Sequence, residues 1–350
     1  MRVSKTLKAL ISIFIVIYVL FLFEIVILNR SEIVSEITDT FVQPEVCVVE
    51  EPAETTITFF GDMMFDRGVW HSFKNIGITE IFSNLDKSKF INSDIVFANL
   101  EGPVSAEPIA DVWIDDSLNF NMPPETLDAL KYLNMDGVSL ANNHTLNAGI
   151  DGFATTQTLL DQNSIKYAGY QNSFDAGSIL RFETEIPVSV ICASFLGINP
   201  DQKIKDTIQA EKGRFVIVFP HWGAEYATTH NSTQERLAHG WVDAGASAVV
   251  GSHPHVVQDI EIYNDVPIFY SLGNFVFDQG FSKETQEGLA VKLTVTEDKV
   301  QAELMPFASD KMKPKFLEQP EEEIKTHLNI KKYLEYYLNG SIIINKSDTK

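Results

Sequence analysis

Residues 248–258 have the sequence AVVGSHPHVVQ, in which an apolar run is followed by two histidines on either side of a proline. The apolar run is typical of a buried strand, so His253 and His255 are predicted to lie where that strand ends. Alternate residues share a face, and Pro254 stiffens the backbone between them, so both imidazoles should be aimed in one direction. Imidazole is a common nitrogen ligand of Zn, Mn and Fe. The pair alone gives weak support for a metal site, because histidines are also common in surface loops.

Four other strand-like runs end in residues that can bind metal, and a helical stretch separates each run from the next. In an α/β sheet, ligands bind outside the carboxyl ends of the strands. Five strand ends that each offer Asp, Glu, Asn or His are therefore hard to attribute to packing alone. For Asp62 or Asn142 taken singly, a turn or helix-cap role is an equally good interpretation. The four runs are TITFFGDMMFD (56–66) with Asp62, DIVFANLEGP (94–103) with Asn99 and Glu101, GVSLANNHTL (137–146) with Asn142, Asn143 and His144, and RFVIVFPHWGAEY (214–226) with His221 and Glu225.

Six motifs occur in an order that resembles a known family. They are GDMMFDR (61–67), NLEGP (99–103), LANNHTLNAG (140–149), FPHWGAEY (219–226), GSHPHVVQ (251–258) and YSLGNFVFDQ (270–279). Residues 55–310 thereby resemble the capsule or poly-γ-glutamate biosynthesis protein CapA family, which is related to the calcineurin-like metallophosphoesterases. The resemblance implies an α/β fold, a four-layer α-β-β-α sandwich in which two mixed sheets pack face to face with helices outside. It also implies a dinuclear metal centre at one edge.

The resemblance further implies a role for each matching residue. Glu101 would bridge two metal ions, and His144 would be the acid that protonates the leaving group. Arg67, just past the first motif, could hold a phosphate oxygen. Such a centre would bind one or two divalent ions, Mn, Fe or Zn, and would support metal-assisted hydrolysis of a phosphoester. The implied metal ligands are Asp62, Glu101, Asn143, His221, His253 and His255, and the pocket residues are Asn99, Asn142, Glu225 and Asp278.

Two positions depart from the phosphoesterase pattern. Met64 stands where those enzymes usually place a histidine ligand, so one ion would lack a ligand. Water or one of three side chains, Asp66, Asn99 or Glu225, could fill the gap, or the site could hold a single ion. Asn147 stands where relatives often carry an aspartate, and a neutral side chain there is expected to support the metal ligands less than a carboxylate would.

The motif YSLGNFVFDQ is interpreted mainly as structural. Its apolar run reaches Gly273 and Asn274, which suit a tight turn. Asp278 and Gln279 could still line the mouth of the pocket.

The sequence after the motifs predicts regular structure. Residues 291–307 alternate apolar and polar side chains around Glu297 and Asp298, which predicts a β-hairpin. Residues 321–340 have acidic residues in the first turn and leucines at helical spacing, which predicts an outer helix. We therefore assign residues 311–350 to a C-terminal helix and tail.

The amino terminus predicts a membrane anchor. Residues 7–28 are almost wholly apolar and long enough to span a bilayer as a helix, and basic residues precede them. By the positive-inside rule, residues 1–30 form a cytoplasmic stub and a single-pass anchor, and the main domain lies outside the cell membrane. A cleaved signal peptide is the alternative. Residues 31–54 carry seven acidic residues and no Lys or Arg, so they should form an extended linker.

Charge limits the possible partners. The chain has 27 Lys and Arg against 48 Asp and Glu, a net charge of −21, which argues against nucleic acid. An acidic surface should also bind an anionic polymer such as poly-γ-glutamate poorly, unless cations bridge the two or a local basic groove exists. The two cysteines, Cys47 and Cys192, lie in dissimilar environments, so no disulfide is expected.

Two functions remain open from the sequence. The first is an extracytoplasmic metal-dependent hydrolase that acts on a phosphoester in capsule, poly-γ-glutamate or related envelope polymer biosynthesis. The second is a non-catalytic subunit of a polymer synthesis and export complex, which uses the same pocket to bind metal or polymer. Replacement of His144 separates them, because loss of a general acid typically slows hydrolysis by two to four orders of magnitude.

Overall fold

The computed structural model of the protein describes residues 10, 13–27, 53–105, 118–318, 337–338 and 341–345. Residues 13–27 are helical. Within these ranges, no helix has both the length and the apolar character needed to cross a membrane. Part of the predicted anchor at residues 7–28, and nearly all of the predicted linker with Cys47, lie outside the described residues. The chain divides after Glu51, and the unit that begins at Pro52 contains the sheets.

Sixteen strands and five α-helices occur in the described residues of this unit. The strands are β1 Glu54–Met63, β2 Ile95–Leu100, β3 Gly137–Ser139, β4 Lys166–Ala168, β5 Ile179–Phe182, β6 Val188–Ser194, β7 Phe215–His221, β8 Ala248–Val250, β9 Ile260–Tyr263, β10 Val266–Phe269, β11 Asn274–Val276, β12 Glu287–Thr296, β13 Lys299–Asp310, β14 Lys313–Phe316, β15 Tyr337–Leu338 and β16 Ser341–Asn345. The helices are α1 Arg67–Phe73, α2 Thr126–Tyr132, α3 Gly149–Gln162, α4 Asp201–Ala210 and α5 Ser232–Asp243. Short 3₁₀ turns occur at Ile78–Phe82, Lys87–Lys89, Ala176–Ser178 and Glu284–Gln286.

The strands form two mixed sheets. Within the described ranges, the larger sheet follows the order β15-β16-β13-β12-β1-β2-β3-β4, with β11 beside β1 and β14 beside β13. The smaller sheet follows the order β5-β6-β7-β8-β10-β9. Strands β1 to β4 are parallel, as are β6, β7, β8 and β10, because intervening segments return the chain to the same sheet edge. The mixed α/β architecture predicted from the sequence is confirmed.

Apolar side chains form three core layers. Successive residues of β1 point into two of these layers, on opposite faces of the larger sheet. Phe59 points between the two sheets, where its ring lies 5.9 Å from that of Phe219 in the smaller sheet. Phe60 points the opposite way and stacks at 4.1 Å on Phe275, in the core beneath α1, α2 and α3. A third core lies between the smaller sheet and helices α4 and α5. Because both faces of the central strands are covered, β2 and β7 are apolar until they near their carboxyl ends.

The predicted hairpin is confirmed, and the predicted C-terminal helix is wrong at its end. Strands β12 and β13 pair antiparallel around Glu297 and Asp298. Tyr337–Leu338 forms a strand instead of a helix and pairs with β16, which lies along β13. The reason is the run Ile342–Ile344, since β-branched residues favour strands and β13 has an edge to receive them. The rest of the predicted helix, residues 321–336 and 339–340, lies outside the described residues.

Candidate metal centre

The predicted ligands come together where the carboxyl ends of strands from both sheets meet. Asp62 ends β1, and its backbone pairs with Asn99 of β2 on one side and with Asn274 of β11 on the other. The register shifts at Asp62 in both pairings, which re-aims the side chain at the end of the strand. A glycine makes this possible, because a Cβ on Gly61 would lie 1.8 Å from the carbonyl oxygen of Gly273. The sequence thus brings three polar side chains into one row.

Two carboxylates form the floor of the site, and both are fully buried. The amide nitrogen of Asn99 donates to Asp62 Oδ1 at 2.8 Å and to Glu101 Oε2 at 3.2 Å, and the backbone N–H of His253 donates to Asp62 Oδ2 at 3.1 Å. Glu101 Oε1 has no hydrogen-bond partner among the described residues. Burial raises the pKa of Asp62 to about 7, and burial together with the charge of Asp62 raises the pKa of Glu101 well above its ordinary value.

His255 faces this orphaned carboxylate oxygen. Its Nδ1 lies 3.0 Å from Asn274 Oδ1, and the amide nitrogen of Asn274 donates to Gln279 Oε1 and to the Thr285 carbonyl. That network assigns the proton of His255 to Nδ1, which leaves a lone pair on Nε2. His255 Nε2 lies 3.6 Å from Glu101 Oε1. Burial lowers the pKa of His255 to about 3, so this imidazole is neutral and presents a lone pair toward the carboxyl group of Glu101, an arrangement that a cation between them would satisfy once Glu101 has lost its proton.

His221 and His253 form the second side of the site. His221 Nε2 lies 2.8 Å from Asn143 Oδ1, and its Nδ1 lies 3.0 Å from Ser252 Oγ. The ring of His253 lies 4.7 Å from that of His221, and His253 Nδ1 is buried with no hydrogen-bond partner in the described part of the chain. Burial lowers the pKa of His253 to about 4 and the pKa of His221 well below its ordinary value. Both imidazoles are therefore neutral at pH 7, the form that binds metal.

The backbone around Pro254 differs from the extended strand end predicted for it. His253 has φ of +99° and His255 has φ of +60°, conformations that cost a non-glycine residue roughly 1–3 kcal/mol each. The orientation of the two rings is therefore set by a strained turn, and not by the alternation of side chains along an extended strand. Backbone strain of this kind persists where surrounding contacts hold it, and here the His253 N–H is held by Asp62.

His144 lies beside the carboxylates and is held by two neighbours. Its Nδ1 is 2.8 Å from Asn147 Oδ1, which also accepts from the backbone N–H of Phe120 at 2.8 Å. The neutral Asn147 therefore does orient this imidazole. The Phe120 ring stacks on that of His144 with 4.0 Å between centroids. His144 Nε2 lies 3.9 Å from Glu101 Oε1, and burial lowers the pKa of His144.

Arg67 lies at the rim and is already engaged. Its guanidinium forms an ion pair with Asp278 and lies 4.9 Å from the centre of the Phe120 ring. Asp278 also accepts from the Gly68 N–H at 3.0 Å. Asp278, predicted as a pocket residue, thus fixes the arginine that was predicted to hold phosphate.

Three side chains were predicted as possible replacements for the ligand missing at Met64, and the structure shows where each of them lies. Met64 itself is fully buried in the core beneath α1 to α3. Asp66 accepts from the Asn121 N–H at 2.7 Å, and Asn99 turns its nitrogen to the carboxylates while its oxygen accepts from Asn142. The Asn99 nitrogen also lies 3.4 Å from His221 Nδ1, and Glu225, which is exposed, lies beside His253 and His255. Ligand atoms of Glu225, His253 and His255 lie within 4.8 Å of one another, as do those of Asp62, Glu101 and His255.

Sequence reasoning missed three residues of the site. Asn274, assigned to a tight turn, lies in β11 and orients His255. Ser252 contacts His221, and Phe120 contacts His144. Asn274 and Ser252 both follow apolar runs, the same signal that identified the other site residues. Phe120 carried no such signal.

The fold and the site define a class: a two-sheet α/β protein with a buried cluster of carboxylates and neutral imidazoles suited to divalent metal. The model of a family described as bacterial capsule synthesis protein PGA_cap matches residues 56–279. The chain belongs to this family, which confirms the resemblance to CapA.

Individual relatives agree with this assignment. The chain is 32% identical to the capsule biosynthesis protein CapA of Bacillus anthracis over 68% of its own length, and 33% identical to the PGA biosynthesis protein CapA of Bacillus subtilis (strain 168) over 66%. These matches span 64% and 66% of the two relatives, less than two thirds of each. A probable polyglutamine synthesis accessory protein of Mycobacterium tuberculosis is 25% identical over 63% of the chain and 67% of that protein. The solved structure of TT1561 from Thermus thermophilus covers 70% of this chain and 99% of its own at 9% identity, and its TM-score of 0.36 is too low to support an argument.

Proposed function

We propose that this protein is a metal-dependent hydrolase of the phosphoesterase type that acts in capsule, poly-γ-glutamate or related envelope polymer biosynthesis. The observation that carries the proposal is the buried Glu101 Oε1, which has no hydrogen-bond partner in the described residues and faces imidazole nitrogens at 3.6 and 3.9 Å. A buried carboxylate so placed is costly unless a proton or a cation neutralises it, and a bound divalent ion would do so while also satisfying the facing imidazoles.

One end of the site would bind metal, and the other would transfer a proton. The metal-binding end would hold one or two divalent ions, with Mn, Fe and Zn as the candidates. The ligands would be Asp62, Glu101, His255, His253, Glu225, His221 and Asn143. A divalent ion bound there would polarise a phosphoryl oxygen and lower the pKa of water.

His144 would donate a proton to the leaving group. Asn147 occupies its Nδ1, so a proton given to a leaving group must depart from Nε2, the nitrogen that faces the carboxylates. Burial favours the neutral imidazole, and an anionic substrate would favour the protonated form. Phe120 covers one face of the ring and helps to exclude water.

The test compares two histidines. His144→Gln should retain the metal content of the native protein but lose about two to four orders of magnitude in the rate of phosphodiester hydrolysis. His239→Gln, the same change on the outer face of α5, should alter neither. Full hydrolysis by His144→Gln would contradict the assigned role. Bound metal without hydrolysis in the native protein would favour the alternative, a metal- or polymer-binding subunit of a synthesis and export complex.

We further propose that residues 7–28 anchor the protein in the cell membrane with the main domain outside and the amino terminus in the cytoplasm. The support is the apolar run preceded by Arg2, Lys5 and Lys8. Alkaline extraction should leave the full chain in the membrane fraction and release a form that lacks residues 1–30. External protease should digest the main domain in spheroplasts, and protection of that domain would contradict the orientation.

A further inference from the structure

Exposed apolar side chains adjoin the metal centre beside His144 and beside His255. The backbone of Leu118 hydrogen-bonds to the His144 imidazole. The Tyr226 ring lies 6.1 Å from that of His255 and packs edge to face on Phe281, with 5.1 Å between centroids. Within residues 53–105 and 118–318, the exposed large apolar side chains are Ile76, Leu118, Ile150, Tyr226 and Phe281. Single exposed apolar side chains are ordinary, but three of these five adjoin one polar site, which indicates a ligand with an apolar part.

Contacts with the protein fix the position of Tyr226. Its backbone N–H donates to the Pro254 carbonyl at 2.8 Å, and its φ is +63°. Gln279 Nε2 donates to the Tyr226 hydroxyl at 3.3 Å. Phe281, 66% exposed, then packs on a ring that is already held. The pair is therefore a positioned apolar surface beside a proposed metal ligand.

The geometry of this aromatic pair suits a flexible hydrocarbon chain better than a planar ring. The planes of Tyr226 and Phe281 differ by 84°, so the edge of one ring meets the face of the other. A nucleobase usually stacks on an open ring face and forms hydrogen bonds along its edges. The nearby Gln279 amide is already engaged, since its nitrogen donates to Tyr226 and its oxygen accepts from Asn274 at 3.0 Å. A hydrocarbon chain needs only apolar surface.

A hydrocarbon chain also agrees with the charge and the size of this surface. It is uncharged, so the net charge of −21 does not repel it. Binding to a membrane surface usually gains from attraction between basic residues and anionic lipids, which an acidic protein lacks. A stable protein partner would need roughly 800 Å² on each side, more than three side chains supply.

We propose that Leu118, Tyr226 and Phe281, here called the apolar rim, bind the hydrocarbon chain of a lipid-linked phosphoester substrate. The proposal rests on the proposed function, because that function places the phosphoryl group of the substrate at the metal centre. The apolar rim would then select substrates by the chain attached to the phosphate.

The experiment measures binding of methylphosphonate and octylphosphonate to the purified full chain at one Mn²⁺ concentration, with both compounds monomeric. The two probes differ only in chain length, and their carbon–phosphorus bond resists hydrolysis. A fully buried methylene raises affinity by up to about fourfold, so octylphosphonate should bind at least about tenfold more tightly. Calorimetric titration measures both affinities.

Two exposed apolar residues provide the matched variants. Phe281→Ser should reduce the octyl preference at least about threefold, because it removes apolar surface from the rim. Ile76→Ser makes a comparable change at a side chain that is 60% exposed, beyond the end of α1, and should leave the preference unaltered. Tyr226→Asn added to Phe281→Ser should reduce it further, and asparagine tolerates the positive φ at this position. Unfolding temperatures of all variants should match that of the native protein.

An octyl preference that is absent from the native protein, or is unchanged in Phe281→Ser, would overturn the proposal. Tighter binding of adenosine monophosphate than of octylphosphonate, lost in Phe281→Ser, would overturn the assignment to a hydrocarbon chain. Rim-dependent binding to phosphatidylcholine vesicles without an octyl preference would indicate membrane docking instead. A rim-dependent octyl preference without hydrolysis of octyl nitrophenyl phosphate would support the apolar rim and contradict the proposed function.

Discussion

Histidines and carboxylates gather in two regions of the described chain, the metal centre and an outer cluster formed by His230, Glu235, His239, Asp259 and Glu261. In the outer cluster, His230 Nδ1 lies 2.7 Å from Asp259 and His239 Nε2 lies 3.1 Å from Glu261. Glu261 also accepts from the Tyr270 hydroxyl at 2.7 Å. In the metal centre, by contrast, Glu101 Oε1 and His253 Nδ1 have no hydrogen-bond partner within the described ranges.

The pKa values of the histidines shift downward in the metal centre and upward at His230 in the outer cluster. Burial lowers the pKa of His253 to about 4 and that of His255 to about 3. Burial also lowers the pKa of His230, but the hydrogen bond and charge of Asp259 outweigh it, and the net shift is upward. Ligand atoms of Glu235, His239 and Glu261 lie as close together as those of the centre. Proximity alone therefore does not identify a ligand set, and the proposed centre is supported by the unpartnered Glu101 Oε1 and His253 Nδ1 in addition to proximity.

The largest expected difference between the regions is in metal affinity. Glu101→Gln should weaken divalent-metal binding more than about a hundredfold, because loss of a direct ligand should exceed the 10- to 100-fold effect of losing a supporting residue. Glu261→Gln makes the same change in the outer cluster and should leave metal content unaltered. Mass spectrometry of the dialysed proteins measures the metal bound to each variant. Equal metal content in the two variants would contradict the difference between the two regions.

The second difference is the pH dependence of that affinity. Asp62, with a pKa of about 7, and Glu101, with a raised pKa, must lose protons to bind metal, so affinity should rise by up to about tenfold per pH unit per proton between pH 5 and 7. In the metal-free protein, these raised pKa values make native stability fall as pH rises from about 4 through 7. Calorimetric titration in buffers of different ionisation enthalpy counts the protons released. Affinity that does not change over this range would contradict the buried, protonated carboxylates.

The third difference concerns Phe120, whose ring stacks on His144 in the metal centre. Phe120→Leu should slow hydrolysis about tenfold for substrates with poor leaving groups and less for nitrophenyl esters, because a loosened His144 is a poorer acid. Metal content should not change. Phe195→Leu alters a ring that packs on Trp222 and Trp241 and should lower the rate for all substrates equally or not at all. A uniform loss with Phe120→Leu would indicate a role in packing alone.

The smallest effect is expected in the outer cluster. The pKa of His230 is raised in the folded protein above about 6.5, its value in the unfolded chain. The ion pair of His230 with Asp259 therefore stabilises the fold fully below about pH 6.5. This stabilisation is lost as the pH rises through the folded pKa. His230→Asn should therefore lower the free energy of unfolding by roughly 1–2 kcal/mol at pH 6 and by less at pH 8.5. Chemical denaturation at the two pH values measures it. A loss of bound metal in this variant would contradict the division into two regions.

The sequence points to candidate site residues where a strand end carries the signal. Asp62, Glu101 and His221 could be identified because the carboxyl ends of parallel strands meet at one edge, whatever the loops between them do. Asn274 could not be assigned, because its contact with His255 depends on β11 lying against β1, which is a tertiary event. Phe120 follows no strand, so only its three-dimensional contacts reveal it. The direction of the Asn99 amide likewise depends on its partners and not on its position.

The sequence predicts the fold less evenly. The hairpin at 291–307 followed from alternation, but Leu338 had helical spacing and lies in a strand. Local spacing cannot reveal that the isoleucines of β16 will occupy the edge of β13.

The left-handed backbone at His253 and His255 has a consequence for how stability is distributed in this protein. Glycine at either position would relieve strain of roughly 1–3 kcal/mol and would also remove an imidazole. The domain without metal should therefore gain in melting temperature from a change that removes a proposed metal ligand. Selection for stability and selection for the metal centre then act in opposite directions on this turn. Bound metal, by favouring the native state alone, would restore the stability that the turn gives up.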